Sequence, residues 1–191
     1  MISPRPRPLS RLLFVLAAVA VTVLGLMAPA SAAAPYCGIT WGSQPKAGGS
    51  SAGPSGPTVT NVRAGQHACY DRVVVDLDGA PGAGYSVQYV PAVTADASGF
   101  PVPLRGGAFL SVVVFAPAYD ENGNATYQPA DQRELVGTAG FATLRQVAYA
   151  GSFEGVTSLG VGVRARLPFR VFTLAGPGAD GRLVLDVAHH W

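Results

Sequence analysis

The sequence predicts an all-β fold, a β-sandwich of two roughly four-stranded sheets. Three observations carry that expectation. Eight short segments alternate apolar and polar residues with the period of two that half-buried strands require. Turn formers separate them, drawn from 24 glycines and 16 prolines in 191 residues. No window sustains a helical period with caps, and Lys46 is the only lysine, so a main residue of helix surfaces is all but missing.

The first expected strand is Thr58–Arg63, directly after a Gly/Ser/Pro-rich stretch. In the second, Tyr70–Leu77, Val73, Val75 and Leu77 share one face, and Arg72, Val74 and Asp76 share the other. In the third, Tyr85–Val90, Tyr85, Val87 and Tyr89 lie together. Phe109–Phe115 is a more continuous apolar run, the pattern of a central strand covered on both sides. Leu144–Ala150, Val156–Arg164, Phe169–Ala175 and Arg182–Ala188 complete the set. Gly79–Gly82, Arg105–Gly107, Glu121–Asn124 and Gly176–Gly181 supply turn residues between them.

Ahead of the strands the chain reads as an address. Arg5, Arg7 and Arg11 make a basic start without an acid, Leu12 to Met27 is uncharged and mostly apolar, and Ala30, Ser31 and Ala32 form a small-residue cleavage site. That is the build of a secretory signal peptide over residues 1–32. Read instead as an uncleaved anchor, the apolar stretch is short for a membrane span and runs into Pro29. No later stretch approaches the length of a membrane helix. Loss of the leader takes Lys plus Arg from 13 to 10 against 11 acids, so the mature chain is close to neutral. Even the full chain carries only +2, which excludes a nucleic-acid binder driven by charge. With 13% charged and 49% apolar residues it is not a charge-rich disordered chain.

Residues 33–57 form an N-terminal extension, and 58–191 the β domain. Twelve of the 16 residues of Gly42–Pro57 are Gly, Ser or Pro, the composition of a flexible loop. Cys37 and Cys69 are the only cysteines, and an even count in an exported chain favours one disulfide. The bridge would close a loop worth roughly 3.5–4 kcal/mol in the chain-entropy account. It would also tether Gly42–Pro57 to the surface, with Trp41 as its anchor.

One pattern repeats. Arg72-Val-Val-Val-Asp76-Leu77 returns as Arg182-Leu-Val-Leu-Asp186-Val187. In a strand, Arg at i and Asp at i+4 point the same way, so each copy presents an Arg-Val-Asp face. Two readings stand. The copies are equivalent strands with ordinary outward ion pairs, worth about 0–1 kcal/mol each, or they are quasi-symmetric ligand-facing strips.

At this echo the sequence resembles the AMIN family, and more closely the AMIN-like domain of exported actinobacterial proteins. The residues that carry the resemblance are Tyr70–Gly79, Gly106–Val114, Gly151–Gly155, Pro168–Leu174 and Arg182–Val187, within about 58–191. The resemblance implies a β-sandwich of two four-stranded sheets. It also implies a non-catalytic role, because in cell-wall amidases such domains target the enzyme to peptidoglycan. This sequence shows no amidase segment, so the cargo and the ligand are open. The expectation is a secreted, wall-associated domain that binds peptidoglycan or another envelope glycan without a cofactor. The alternative is a module that holds an envelope protein through a strand edge or the 116–137 segment.

A binder of sugar hydroxyls, amides and stem-peptide carboxylates needs arginine forks, carboxylates and aromatic rings. The ligand-binding candidates are therefore Arg72, Asp76, Arg182 and Asp186, with Tyr70 alongside. Arg164, Arg166 and Arg170 form a second basic group, read first as a charged edge that discourages strand pairing. Glu154 reads first as a turn residue between two strands. No nucleophile elbow and no paired-histidine zinc motif exists, and nothing selects a carboxylate pair for glycosidase chemistry. Asp120, Asn122, Asn124 and Asp131 fit part of a calcium-loop template, but Ala125 stands where glycine is needed. No metal and no catalytic residue is expected.

Overall fold

Alternating strands bury one face each, and two such faces closed on each other form a core. The computed structural model describes residues 35–50, 56–79 and 83–191. The expected leader over 1–32 lies outside the described residues, as do 51–55 of the Gly/Ser/Pro-rich stretch. Among the described residues, eleven strands follow one 3₁₀ turn at Tyr36–Gly38: β1 Lys46–Gly48, β2 Thr58–Gln66, β3 Tyr70–Asp78, β4 Tyr85–Val90, β5 Val93–Thr94, β6 Pro101–Val102, β7 Ala108–Val114, β8 Leu144–Phe153, β9 Val156–Val163, β10 Phe169–Ala175 and β11 Gly181–Ala188. One sheet has the order β10-β11-β3-β2 and the other β1-β4-β7-β9-β8, with antiparallel pairing throughout. β5 and β6 make a separate small hairpin.

All eight expected strands are present. The period of two sorts their residues as anticipated. Val73, Val75 and Leu77 of β3 and Leu183, Leu185 and Val187 of β11 face the core from one sheet. Val87, Leu110, Val112, Leu159 and Val161 meet them from the other. Each such side chain removed from water contributes roughly 1.5–3 kcal/mol.

The Gly-rich extension differs from its expectation. Lys46–Gly48 is a strand on the edge of β4, and Gly42 bridges to Phe169 of β10. Glycine serves close approach here. A Cβ on Gly49, whose φ is +68°, would sit 2.7 Å from Gly84 Cα. The composition matches a flexible loop, but the same residues allow two backbones to lie against each other.

The long connection between β7 and β8 is spent on the sandwich. Leu135 N donates to Val147 O at 2.8 Å, and Tyr149 N donates to Gln132 O at 2.7 Å, which covers the edge of β8. Val59 N donates to Pro117 O at 2.7 Å, so the same connection reaches the edge strand β2.

Candidate functional site

The repeated motif lies on two neighbouring strands. β3 and β11 pair with Arg72 opposite Asp186, Val74 opposite Val184, and Asp76 opposite Arg182. A local two-fold axis therefore runs between Val74 and Val184. The two strips merge into one face on the outside of the β10-β11-β3-β2 sheet, and each arginine faces the other copy's aspartate.

The bonding breaks this symmetry. Arg72 grips Asp186 with Nε to Oδ1 at 2.6 Å and Nη2 to Oδ2 at 2.9 Å. Arg170 of β10 adds Nε to Oδ2 at 2.8 Å. Asp186 is fully buried. A buried carboxylate is tolerated only when its charge is matched and its lone pairs are used, and two guanidinium groups do both. Its hydrogen bonds raise the Arg72 pKa above the ordinary arginine value. Three rings frame the pair of arginines. Arg170 lies over Trp41, Tyr70 and Phe172 at 5.5, 5.3 and 5.0 Å, and Arg72 lies over Tyr70 and Phe172 at 5.3 and 5.5 Å. Such contacts add about 0.5–1 kcal/mol each when exposed and more when desolvated.

On the other side of the axis, Arg63 of β2 takes Asp76 by a two-pronged grip, Nε to Oδ2 at 2.8 Å and Nη2 to Oδ1 at 2.9 Å. Arg182, opposite Asp76 in register, is left with no carboxylate among the described residues. Its Nη2 donates to Ala175 O at 2.5 Å, and its Nε is buried without an acceptor. Between the two halves Val74 and Val184 face outward yet are buried, at 5% and 1% exposure, beneath the arginine stems. A hollow of about 240 Å³ opens above them, walled also by Leu174, Gly65 and His67. A second hollow of about 320 Å³ adjoins at Arg63 and Arg182 and extends over the β10–β11 turn. Four arginines against three aspartates, Asp180 on the second hollow included, leave this face positive.

All five candidates from the sequence thus meet on one face. Tyr70 accepts a bond from Arg72 Nη2 at 3.3 Å. Sequence reasoning missed Arg63, Phe172 and the ring contacts of Trp41. Strict alternation would set Arg63 on the same face as the buried Val59; the bulge between Val59 and Asn61 turns it outward, and nothing in sequence set β2 beside β3. The second basic group does not hold together. Arg170 joins Asp186, whereas Arg164 donates to His189 O at 2.6 Å, and Arg166 lies over Tyr89 at 4.7 Å.

The remaining chemistry is internal. Asp120 accepts from Asn122 N, Asn124 N and Asn124 Nδ2 and so closes its own turn, and those bonds hold its pKa below the ordinary carboxylate value. Glu154 takes φ 49° in the β8–β9 turn. His67 stacks on Tyr70 at 4.6 Å, and His189 meets the buried Asp71 at 3.1 Å. No cluster of three or more His, Cys, Asp or Glu able to hold a metal occurs among the described residues. Cys37 and Cys69 form the disulfide.

The family model of the AMIN-like domain matches residues 57–189. The chain belongs to the AMIN-like domain family. Comparison with curated proteins and with solved structures gives no match. The matched span of the AMIN-like domain runs from β2 through β11 and holds every side chain of the arginine face except Trp41. Trp41 and Cys37 lie in the extension that precedes it. Among the described residues, no helix is long and apolar enough to cross a membrane.

Proposed function

We propose that this AMIN-like domain is a secreted, non-catalytic module that holds cell-wall peptidoglycan or a related envelope polymer on the outer face of the β10-β11-β3-β2 sheet. The observation that carries the reading is the face itself. Arg63, Arg72 and Arg182 border an apolar floor of Val74, Val184 and Leu174 on which the two hollows meet, and Arg170 with Asp186 and the three rings flanks it. A polymer with carboxylates, amides and sugar rings finds a partner there for each. The family is envelope-associated, and a disulfide suits an oxidising compartment. Against a protein-binding role for the 116–137 segment stands its own packing, since it uses its backbone groups on β8 and β2.

The test is retention on purified insoluble peptidoglycan of protein recovered after export, with its disulfide formed. Wild type is expected in the pellet, with retention falling as salt rises. Leu174→Glu places an acid at the rim of the hollow on a side chain that is already 37% exposed. It is expected in the supernatant. Wild type left in the supernatant at low salt sinks the reading. Leu174→Glu retained as well as wild type moves the site off this face.

A further inference from the structure

We propose that Arg182 is the recognition group of this face and that it takes a carboxylate carried beside a small apolar group, such as the free end of a short alanine-rich peptide. The inference rests on the reading of the arginine face as the binding surface. It divides that face into framework and receptor.

Three of the four arginines are committed. Arg72 and Arg170 neutralise Asp186, and Arg63 occupies both oxygens of Asp76. Arg182 stands where the local two-fold places the equivalent of Arg72. Arg72 uses its Nε–Nη2 edge to hold both oxygens of a carboxylate. The same edge of Arg182 has one backbone carbonyl at Nη2 and nothing at Nε. The carboxylate that the two-fold sets opposite Arg182, Asp76, is taken by Arg63, so Arg182 alone of the four holds none among the described residues.

A ligand that supplies a carboxylate gains twice. It exchanges the neutral Ala175 carbonyl at Nη2 for a charged acceptor, and, once the side chain turns its Nε toward the hollow, it satisfies a donor that folding has already dehydrated. A guanidinium edge matches the spacing of two coplanar oxygens, which favours a carboxylate over a tetrahedral phosphate. The neighbouring surface selects what stands beside the charge. Val74, Val184 and Leu174 wall the hollow of about 240 Å³, and a Cβ on Gly65 would meet nothing within 4 Å. An apolar group of methyl size or larger fits there.

The experiment is a titration of the full, disulfide-bonded protein followed by the arginine Nε resonances. The probes are N-acetyl-alanyl-alanine, its C-terminal amide, and a glycerol phosphodiester oligomer. The free acid is expected to shift the Arg182 Nε signal, and the amide to bind at least tenfold more weakly. Arg182→Gln is expected to lose tenfold or more in affinity for the acid. Arg182→Lys is expected not to restore it, since an ammonium is a point charge without a fork. Arg105→Gln, on the other sheet's side, is expected to bind as wild type. Equal binding of acid and amide overturns the proposal and needs no variant. So does binding of the acid that ignores Arg182→Gln, or binding of the phosphodiester in place of the acid. Retention of both wild type and Arg182→Gln on insoluble wall would sink this inference and leave the polymer-binding reading standing. Loss of wild-type retention would remove that reading, and the titration would still decide the role of Arg182.

Discussion

Asp71 occupies a core-facing position of β3, two residues before Val73, and is fully buried. Its Oδ2 accepts from Thr143 N at 2.5 Å and Leu144 N at 3.0 Å, and its Oδ1 meets His189 Nε2 at 3.1 Å. One carboxylate thus ties the start of β8 and the end of the chain to β3. Asp71→Ala would strand two buried amides. We expect a loss of about 3 kcal/mol in urea unfolding, and a smaller loss for Asp71→Asn, which keeps an acceptor oxygen. Asp96 presents the opposite case. Burial raises its pKa, a Ser158 hydroxyl offsets this in part, and its Oδ2 has no partner. A carboxyl with a folded pKa above its unfolded value opposes folding once it ionises. Stability contributed by its neutral form is full below the ordinary carboxylate pKa and is lost as pH rises through the raised one. Asp96→Asn is therefore expected to be more stable than wild type at pH 7, and the difference to close at the acid end. Unfolding curves across pH 3 to 7 check this, and a constant difference would contradict it.

At the scale of an element, β9 shows how a strand can serve two faces. Leu159, Val161 and Val163 enter the core, while Gly160 and Gly162 alternate with them on the outside. The chain that leaves β6 lies flat on those glycines. A Cβ on Gly162 would meet Arg105 O at 1.9 Å, and one on Gly160 would meet Leu104 Cδ1 at 2.8 Å. The first obstacle is backbone and cannot swing aside. Gly162→Ala is expected to destabilise by about 2–4 kcal/mol through overpacking. Gly137→Ala, where a Cβ meets nothing within 4 Å, is expected to stay within about 0.5 kcal/mol of wild type. Thermal or urea unfolding of the two variants side by side separates close packing from loss of glycine as such.

Across the whole molecule, the disulfide joins the N-terminal extension to the start of β3. Cys37 and Cys69 lie 32 residues apart in sequence, and the loop between them includes β1, β2 and Trp41. Replacing both cysteines by serine is expected to cost about 2–4 kcal/mol, mostly through a freer unfolded chain. The two sheets are expected to survive, because their core residues come from β2 through β11. Limited proteolysis should then cut within residues 35–50 before it cuts the sandwich. Resistance of that segment in the double variant would show that Trp41 and the β1–β4 pairing hold it alone.

Alternation in the sequence determined the eight principal strands and the inner and outer residues of β3 and β11. Those properties are local, since a period of two is written into each segment. The disulfide was equally legible, because two cysteines permit one pairing. Only the tertiary structure decided which strands became neighbours and in what register. That register set Arg72 against Asp186, gave Asp76 to Arg63, and left Arg182 without a carboxylate. Each strand's own alternation forbids a slip of one residue, which would turn its apolar face to water, but a slip of two keeps the faces and changes every partner, and no single strand carries the information that prevents it. Glycine posed the same ambiguity in the extension. Freedom to bend and freedom to approach look alike in sequence, and what lies opposite, Gly84 across from Gly49, decides between them.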